Sequence, residues 1–435
     1  MKKRVLCWSD SPTVSTGFGV VTKNVIGGLE KTGKYEIHQL AINHDGKFVD
    51  SESYPWQIQA AKLLEPSDPY GNKMFLRAVD MGNYDIIWIL NDMYVTTRMA
   101  PDLDKIIKHK KQTEQKVPTI IYYYPVDCQV VPEGGALLKV ADINVAYTHH
   151  GALMTKFTMP EMAQNLQEIP HGVDSSLFRP LSKKEAIEYK KKALGVDEDT
   201  FVIANINRNT SRKQIAYSML AFKEFRKVVP NSIMYIHAAF HDQGGDLLLA
   251  ARDLGFELDK DVVFPVNYGP GNGVSSEALN ALYNVADVFL TTHLGEGWGL
   301  TISESMAAGT PVIVPNNTCM PQLVGANGDR GYMYECNDTI YIDNSGYRKK
   351  GLIPDILKVM VDSYEAGSKW DETSENGKIV RRARDWAVEH DWKNVVKKWI
   401  KLFDSVGERD TGIVRFSAKS PSVKELNKEG MGKML

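Results

Sequence analysis

The chain reads as an α/β protein of two Rossmann-like domains in tandem, and three observations carry that expectation. Its 435 residues and 48.7 kDa exceed one ordinary hydrophobic core, so two domains of roughly 150 to 200 residues are expected. Short runs rich in β-branched and aromatic residues alternate with stretches of helical spacing, the pattern of parallel sheets with helices on both faces. The alternation begins afresh after Pro180.

In the first half the strand candidates are "RVLCW" at 4–8, "YEIHQLAI" at 35–42, "YDIIWIL" at 84–90, "PTIIYYYPV" at 118–126 and "INVAYT" at 143–148. Helical stretches such as "GVVTKNVIGGLEKTG" and "DLDKIIKHKKQTEQ" separate them. In the second half "TFVIANI" at 200–206, "SIMYIHAA" at 232–239, "DVVFPV" at 261–266, "VFLTTH" at 288–293 and "PVIVPN" at 311–316 repeat the pattern, with "RKQIAYSMLAFKEFRKVV" and "SSEALNALYNVA" as helices between them. The linker is expected near 172–182. Helical spacing returns in "IPDILKVMVDSYEAG" and in the stretch from Gly377 to Val406, where Trp386, Trp392 and Trp399 read as packing residues. From Arg409 periodicity is lost, and a flexible tail or loosely docked arm is expected.

A hydrophobic content of 43% and a formal net charge of −2 describe a globular protein whose overall field does not demand a nucleic-acid partner. The basic start "MKKRVLCWSDS" is cut by Ser9 and Asp10 and reads as an opening strand rather than a signal peptide. No apolar run approaches the length of a membrane span, so a cytoplasmic location is expected. Cys7, Cys128, Cys319 and Cys336 lack CxxC spacing and read as buried or incidental thiols.

Four stretches carry candidate chemistry. "SDSPTVSTGFGVVTKNV" places Gly17 and Gly19 between the first strand and the first helix, where close backbone approach and open amides suit a polar or anionic ligand. "NINRNTSRKQ" places Arg208, Arg212 and Lys213 at another strand-to-helix passage, and cations there suit a pyrophosphate. In "THLGEGWGLTISESMAAGTPVIVPN" a small-residue loop carries Glu296, and a helix closed by Gly309 and Pro311 carries Glu304. Buried carboxylates need hydrogen-bond donors, and an ionised carboxylate can accept two adjacent sugar or ribose hydroxyls. Two carboxylates could also serve as acid and base on a glycosidic bond, but the cations have little use in that chemistry. No tight Asp-x-Asp motif suggests a metal; "DLD" at 102–104 and "DED" at 197–199 read as a helix start and a surface turn.

On these residues the chain resembles family four of the retaining glycosyltransferases. The family's glutamate pair, separated by seven residues, matches Glu296 and Glu304 in "EGWGLTISE", followed by the similar "AAGTPVIV". "EIPHGVDSSLFRP" at 168–180 resembles the interdomain segment, and Arg208 with Lys213 the cationic pair. The resemblance implies the GT-B fold, two Rossmann-like domains facing each other across a deep cleft. It implies residues 1–175 as an acceptor domain, 176–385 as a nucleotide-sugar domain, 386–408 as a helical segment packing back toward the first domain, and 409–435 as the tail.

The implied donor is a nucleoside diphosphate sugar, a UDP-sugar by expectation, with no tightly bound cofactor and no metal. Glu304 would bind the ribose hydroxyls, Glu296 the donor sugar, and the backbone of Gly297, Trp298, Gly299 and Leu300 the diphosphate and sugar. Arg208 and Lys213 would neutralise the leaving diphosphate, and Gly17 and Gly19 would close over it. Trp298 stands where the family commonly has Phe or Tyr. For the family's active-centre residue in the first domain the counterpart is Asp127, with His149, His150 and His171 as acceptor-side or hinge candidates. The acceptor is open. "SDSPTVSTGFG" and "YYYPVD" look like compact bacteriophage members, some of which glycosylate hydroxymethylated DNA bases, and "KHKKQTEQK" at 108–116 and 378–401 supply candidate phosphate-binding lysines. A sugar phosphorylase, an epimerase and a non-catalytic nucleotide-sugar binder are the competing readings.

Overall fold

The structure, a computed structural model, describes residues 2–62, 67–128, 134–265, 273–342 and 346–406. They form two compact units: one of Met1–Pro170 together with the segment from Val396 onward, the other of His171–Val395.

In the first unit the described strands are β1 (Lys3–Asp10), β2 (Tyr35–Ile42), β3 (Gln57–Ala60), β4 (Ile86–Leu90), β5 (Thr119–Tyr124), β6 (Ile143–Ala146) and β7 (Leu166–Glu168). They make one parallel sheet in the order β3-β2-β1-β4-β5-β6-β7. β4 and β5 are buried along their whole length, which is why they read as continuous apolar runs rather than alternating ones. The helix Trp392–Ser405 contributes Trp399 to this unit's core, edge-on to Trp88 with centroids 5.8 Å apart and to Tyr123 at 4.7 Å. Its Asp404 accepts from Tyr35 Oη at 2.7 Å and pairs with Lys34 at 2.6 Å.

In the second unit β8 (Phe201–Ile206) and β9 (Ser232–His237) are followed by a minimal hairpin, β10 (His241–Asp242) and β11 (Gly245–Asp246). Then come β12 (Val262–Val263), β13 (Val288–Leu290), β14 (Val312–Pro315) and β15 (Tyr332–Tyr334). The parallel sheet has the order β12-β9-β8-β13-β14-β15. An antiparallel hairpin, β16 (Asp338–Ile342) and β17 (Gly346–Lys350), follows it. Each unit is therefore a Rossmann-like parallel sheet with its own apolar core.

The boundaries differ from the sequence expectation. The first falls at Pro170 and not at 175, because residues 171–175 bond within the second unit: Val173 N donates to His390 O at 3.0 Å, and Ser175 Oγ to Asp391 at 2.5 Å. The second falls between Val395 and Val396 and not at 385, because Trp386 and His390 stack inside the second unit at 4.1 Å. The expected tail, 409–435, lies outside the described residues, as does Val266 of the predicted strand 261–266.

Candidate functional site

All strands of a parallel sheet end on one edge, and in open α/β sheets that carboxyl edge is where ligands bind. In the second unit the loops after β8, β13 and β14 leave from it. Glu296, on the loop after β13, is buried at 6% exposure. Its Oε1 pairs with Arg212 Nη1 at 2.8 Å and with Lys213 Nζ, and both cations belong to the 3-10 turn Ser211–Lys213 after β8. Burial pushes the Glu296 carboxyl up, but the charges of Arg212 and Lys213 outweigh it and hold the group well below the usual carboxylate range. Lys213 Nζ also donates to Asn207 Oδ1 at 2.7 Å. The result is a buried anion fully matched by two cations at the end of the sheet.

Glu304 sits on the helix Leu300–Ala307 in a different electrostatic setting. It is half-buried, and its described partner is neutral, the Tyr283 hydroxyl donating to Oε2 at 2.8 Å. Burial raises the carboxyl to about 7, with the tyrosine hydrogen bond pulling the other way. Gly299 caps the helix start at φ 93°, where a side chain is strained and a Cβ would lie 2.9 Å from Ile302 Cδ1. Gly297 is buried beside it, and Leu300 opens the helix half-buried.

The two cations on Glu296 are Arg212 and Lys213; the Arg208 guanidinium is two-thirds exposed and is held by Asp242 of β10 at 2.8 and 3.3 Å. The Trp298 ring is 3% exposed and packs near-parallel to Trp386 at 6.1 Å and against His171 at 5.9 Å. His171 is itself buried between Trp298 and Trp392, and burial lowers it to about 3, so it stays neutral.

Residues not singled out from the sequence complete the arrangement. His293, 1% exposed, accepts from Gly295 N at Nδ1 (3.1 Å), which leaves the ring proton on Nε2, an atom with no hydrogen-bond partner among the described residues. Burial lowers it to about 3. Asn207, Tyr283 and Thr318 also touch the site residues. For Asn207, His293 and Thr318 the available signal was position, polar residues at or just beyond the ends of predicted strands; Tyr283, inside the helix Ser276–Val285, carried none.

In the first unit Gly19 is fixed by packing. The helix Gly17–Glu30 is capped by Thr16, whose hydroxyl accepts from Gly19 N at 3.0 Å and donates to Asp10 at 2.5 Å. A Cβ at Gly19 would stand 2.5 Å from Val14 O. Gly17 is exposed. At the same carboxyl edge, Asp127 follows β5 and His149 and His150 follow β6. His149 Nδ1 lies 3.6 Å from Glu168. Among the described residues neither ring nitrogen of His150 has a hydrogen-bond partner, and burial lowers it to about 4, partly offset by the charge of Asp127.

The basic stretches are largely committed locally. Lys108 pairs with Asp104 and Lys116 with Asp85, both at 2.6 Å, while Lys110 is buried and donates to Gly82 O. Arg381 pairs with Glu372, Lys378 and Arg382 with Glu375, and Arg384 donates to the carbonyls of Ser175, Phe178 and Ala307. Among the described residues no helix is long and apolar enough to cross a membrane, and no group of three or more His, Cys, Asp or Glu could hold a metal ion.

Comparison with known proteins agrees with this layout. The family described as "Glycosyl transferases group 1" matches residues 186–342, the stretch that holds both glutamates and the cationic turn. The chain is 32% identical over 348 residues to an uncharacterized glycosyltransferase of Methanocaldococcus jannaschii, covering 72% of this chain and 80% of that protein. It is 26% identical over 276 residues to the alpha-monoglucosyldiacylglycerol synthase of Acholeplasma laidlawii, 63% of this chain and 60% of that one. The chain spans between about a third and three fifths of the two curated synthases of that name. Among solved structures, Anabaena HepE in complex with UDP superposes with a TM-score of 0.65 at 15% identity, over 93% of this chain and all of that one, a likeness of fold. With a relative of this identity and coverage, and two Rossmann-like units of the GT-B type, the chain belongs to the group 1 glycosyltransferases.

Proposed function

We propose that the protein transfers a glycosyl group from a nucleoside diphosphate sugar, a UDP-sugar in the first instance, to an acceptor hydroxyl with retention of anomeric configuration and without a metal ion. The observation that carries this reading is the buried Glu296 held between Arg212 and Lys213, eight positions before the neutral-leaning Glu304. Glu304 takes the ribose hydroxyls and Glu296 a hydroxyl of the donor sugar. The backbone of Gly297, Trp298, Gly299 and Leu300 lines the diphosphate and sugar.

In the transfer the bond from the anomeric carbon to the diphosphate oxygen breaks, and its electron pair leaves with the diphosphate. A bond to the acceptor oxygen forms on the same face, and the acceptor proton passes to the departing oxygen. Lys213 and Arg212 stabilise the charge that develops. Arg208, whose guanidinium is two-thirds exposed, joins them by leaving Asp242. In the first unit Gly17 and Gly19 approach the phosphate side. Asp127 and neutral His150 receive the acceptor, with His149 beside them, while His171 serves the hinge.

A hydroxymethylated DNA base is kept as the alternative acceptor, although Lys108, Lys110, Lys116 and Lys378 of the stretches that favoured it are engaged within the chain. The test measures nucleoside diphosphate release over UDP-, GDP- and ADP-sugars, then product formation on diacylglycerol, modified DNA, small sugars and peptides. Product anomer is read by NMR, and turnover is repeated with chelator present. Donor binding with turnover lost in Glu296→Ala is the expected result. Absence of any nucleotide binding would overturn the reading, inversion would remove the retaining mechanism, and transfer confined to small sugars would remove the DNA acceptor.

A further inference from the structure

We propose that Thr318 and Cys319 form a clamp that positions Glu296 by its backbone; the inference rests on the reading of Glu296 as the donor-sugar residue. The two residues lie on the loop after β14, and Glu296 on the loop after the neighbouring strand β13. Thr318 Oγ1 accepts from Glu296 N at 3.1 Å and donates to Asn317 Oδ1 at 3.3 Å. The single S–H of Cys319 is shared between Glu296 O at 3.1 Å and Trp298 O at 3.3 Å from Sγ. Both sides of the glutamate backbone are thus tied to one adjacent dipeptide.

Thr318 holds this position at φ 43°, a left-handed conformation that β-branched residues rarely adopt and that glycine adopts freely. Strain of that kind persists where the surroundings over-determine it and clusters at functional sites. What threonine supplies and glycine lacks is the hydroxyl on Glu296 N. The need for a backbone anchor follows from the side-chain contacts. Arg212 and Lys213 hold the carboxylate, yet an incoming diphosphate competes for the same two cations. Once they turn to the phosphates, a glutamate fixed only through its side chain would be free to swing. The clamp keeps it aimed.

Thr318→Gly removes the hydroxyl and relieves the strained φ. The expected result is a Tm at or above wild type, UDP affinity within about twofold, and kcat lowered about ten- to hundredfold, the scale of a misplaced catalytic group. Thr318→Ser keeps the hydroxyl and should restore kcat to within a fewfold. Thr318→Val keeps the shape without the hydroxyl and should match the glycine variant in kcat, which secures the test if that variant folds poorly. Glu296→Ala run beside them separates the two claims. If it retains turnover, the reading of Glu296 fails. If it is inactive while Thr318→Gly and Thr318→Val turn over like wild type, or if Thr318→Ser is as impaired as they are, the clamp is overturned.

Discussion

Tyr283 donates its hydroxyl to Glu304 Oε2 at 2.8 Å, and that neutral donor is what the buried carboxyl has in place of a cation. Burial therefore lifts Glu304 from its ordinary value of 4.5 to about 7, which brings the protonated form into play near neutral pH. Ribose hydroxyls bind the ionised form better, so nucleotide binding should expel a fraction of a proton at pH 7. Calorimetry of UDP binding in buffers of different ionisation enthalpy reads this directly. A binding enthalpy independent of buffer would refute it.

The same shift makes a stability claim. Because the folded state raises this carboxyl, folding binds the proton more tightly than the unfolded chain, and stability is lost as pH climbs from about 4.5 through 7. Glu304→Gln mimics the protonated group. Thermal melts should place it above wild type at pH 8 and level with it at pH 4, while nucleotide affinity falls below wild type at pH 8 and matches it at pH 4.

Tyr283→Phe removes the bond that lowers the Glu304 carboxyl. The group should rise further, and UDP affinity at pH 7 should drop several-fold and recover at pH 9, where the carboxylate is ionised in both proteins. An affinity loss equal at the two pH values would assign Tyr283 to packing alone.

Lys213→Met should lower kcat about 100- to 1000-fold, the usual cost of removing a group that stabilises developing charge. It also leaves buried Glu296 with Arg212 alone, so Tm should fall. Adding Glu296→Gln to the same chain should recover the Tm and none of the activity. Recovery of both in a coupled release assay would argue that the ion pair is only structural.

Gly19→Ala drives a methyl toward the carbonyls of Val14 and Ser11, at 2.5 and 2.8 Å. Neither is a flexible side-chain end, so the loop must shift, at about 1–3 kcal/mol. Hydrogen exchange at the start of the helix Gly17–Glu30 should rise well before the rest of the first unit responds.

The strands legible in the sequence are those buried on both faces, such as "IIWIL" and "TIIYYY", where no alternation is needed to declare them. β3, "QIQA", and β7, "LQE", are short, polar and at the sheet edges, so they look like loops. The hairpin β16–β17, with Tyr341 opposite Tyr347, is antiparallel and stands outside the strand–helix alternation that declares the parallel strands. In the site, the glutamates and the cationic stretch were visible as residue types in a position. Which of three cations reaches Glu296 depends on the 3-10 turn that points Arg212 inward while Asp242 takes Arg208, and spacing does not encode that. Thr318 and Cys319 left no trace either, since their role is a pair of backbone contacts across two strands.

Trp399 joins the Trp88 and Tyr123 rings that form the middle of the first sheet, and Asp404 ties down Lys34 and Tyr35 at its other side. On the ribosome, then, the first domain to be made is the last to be finished. Its central aromatic face waits uncovered while all of His171–Val395 is synthesised, and a fragment ending at Pro170 would carry that face into solution as an aggregation surface.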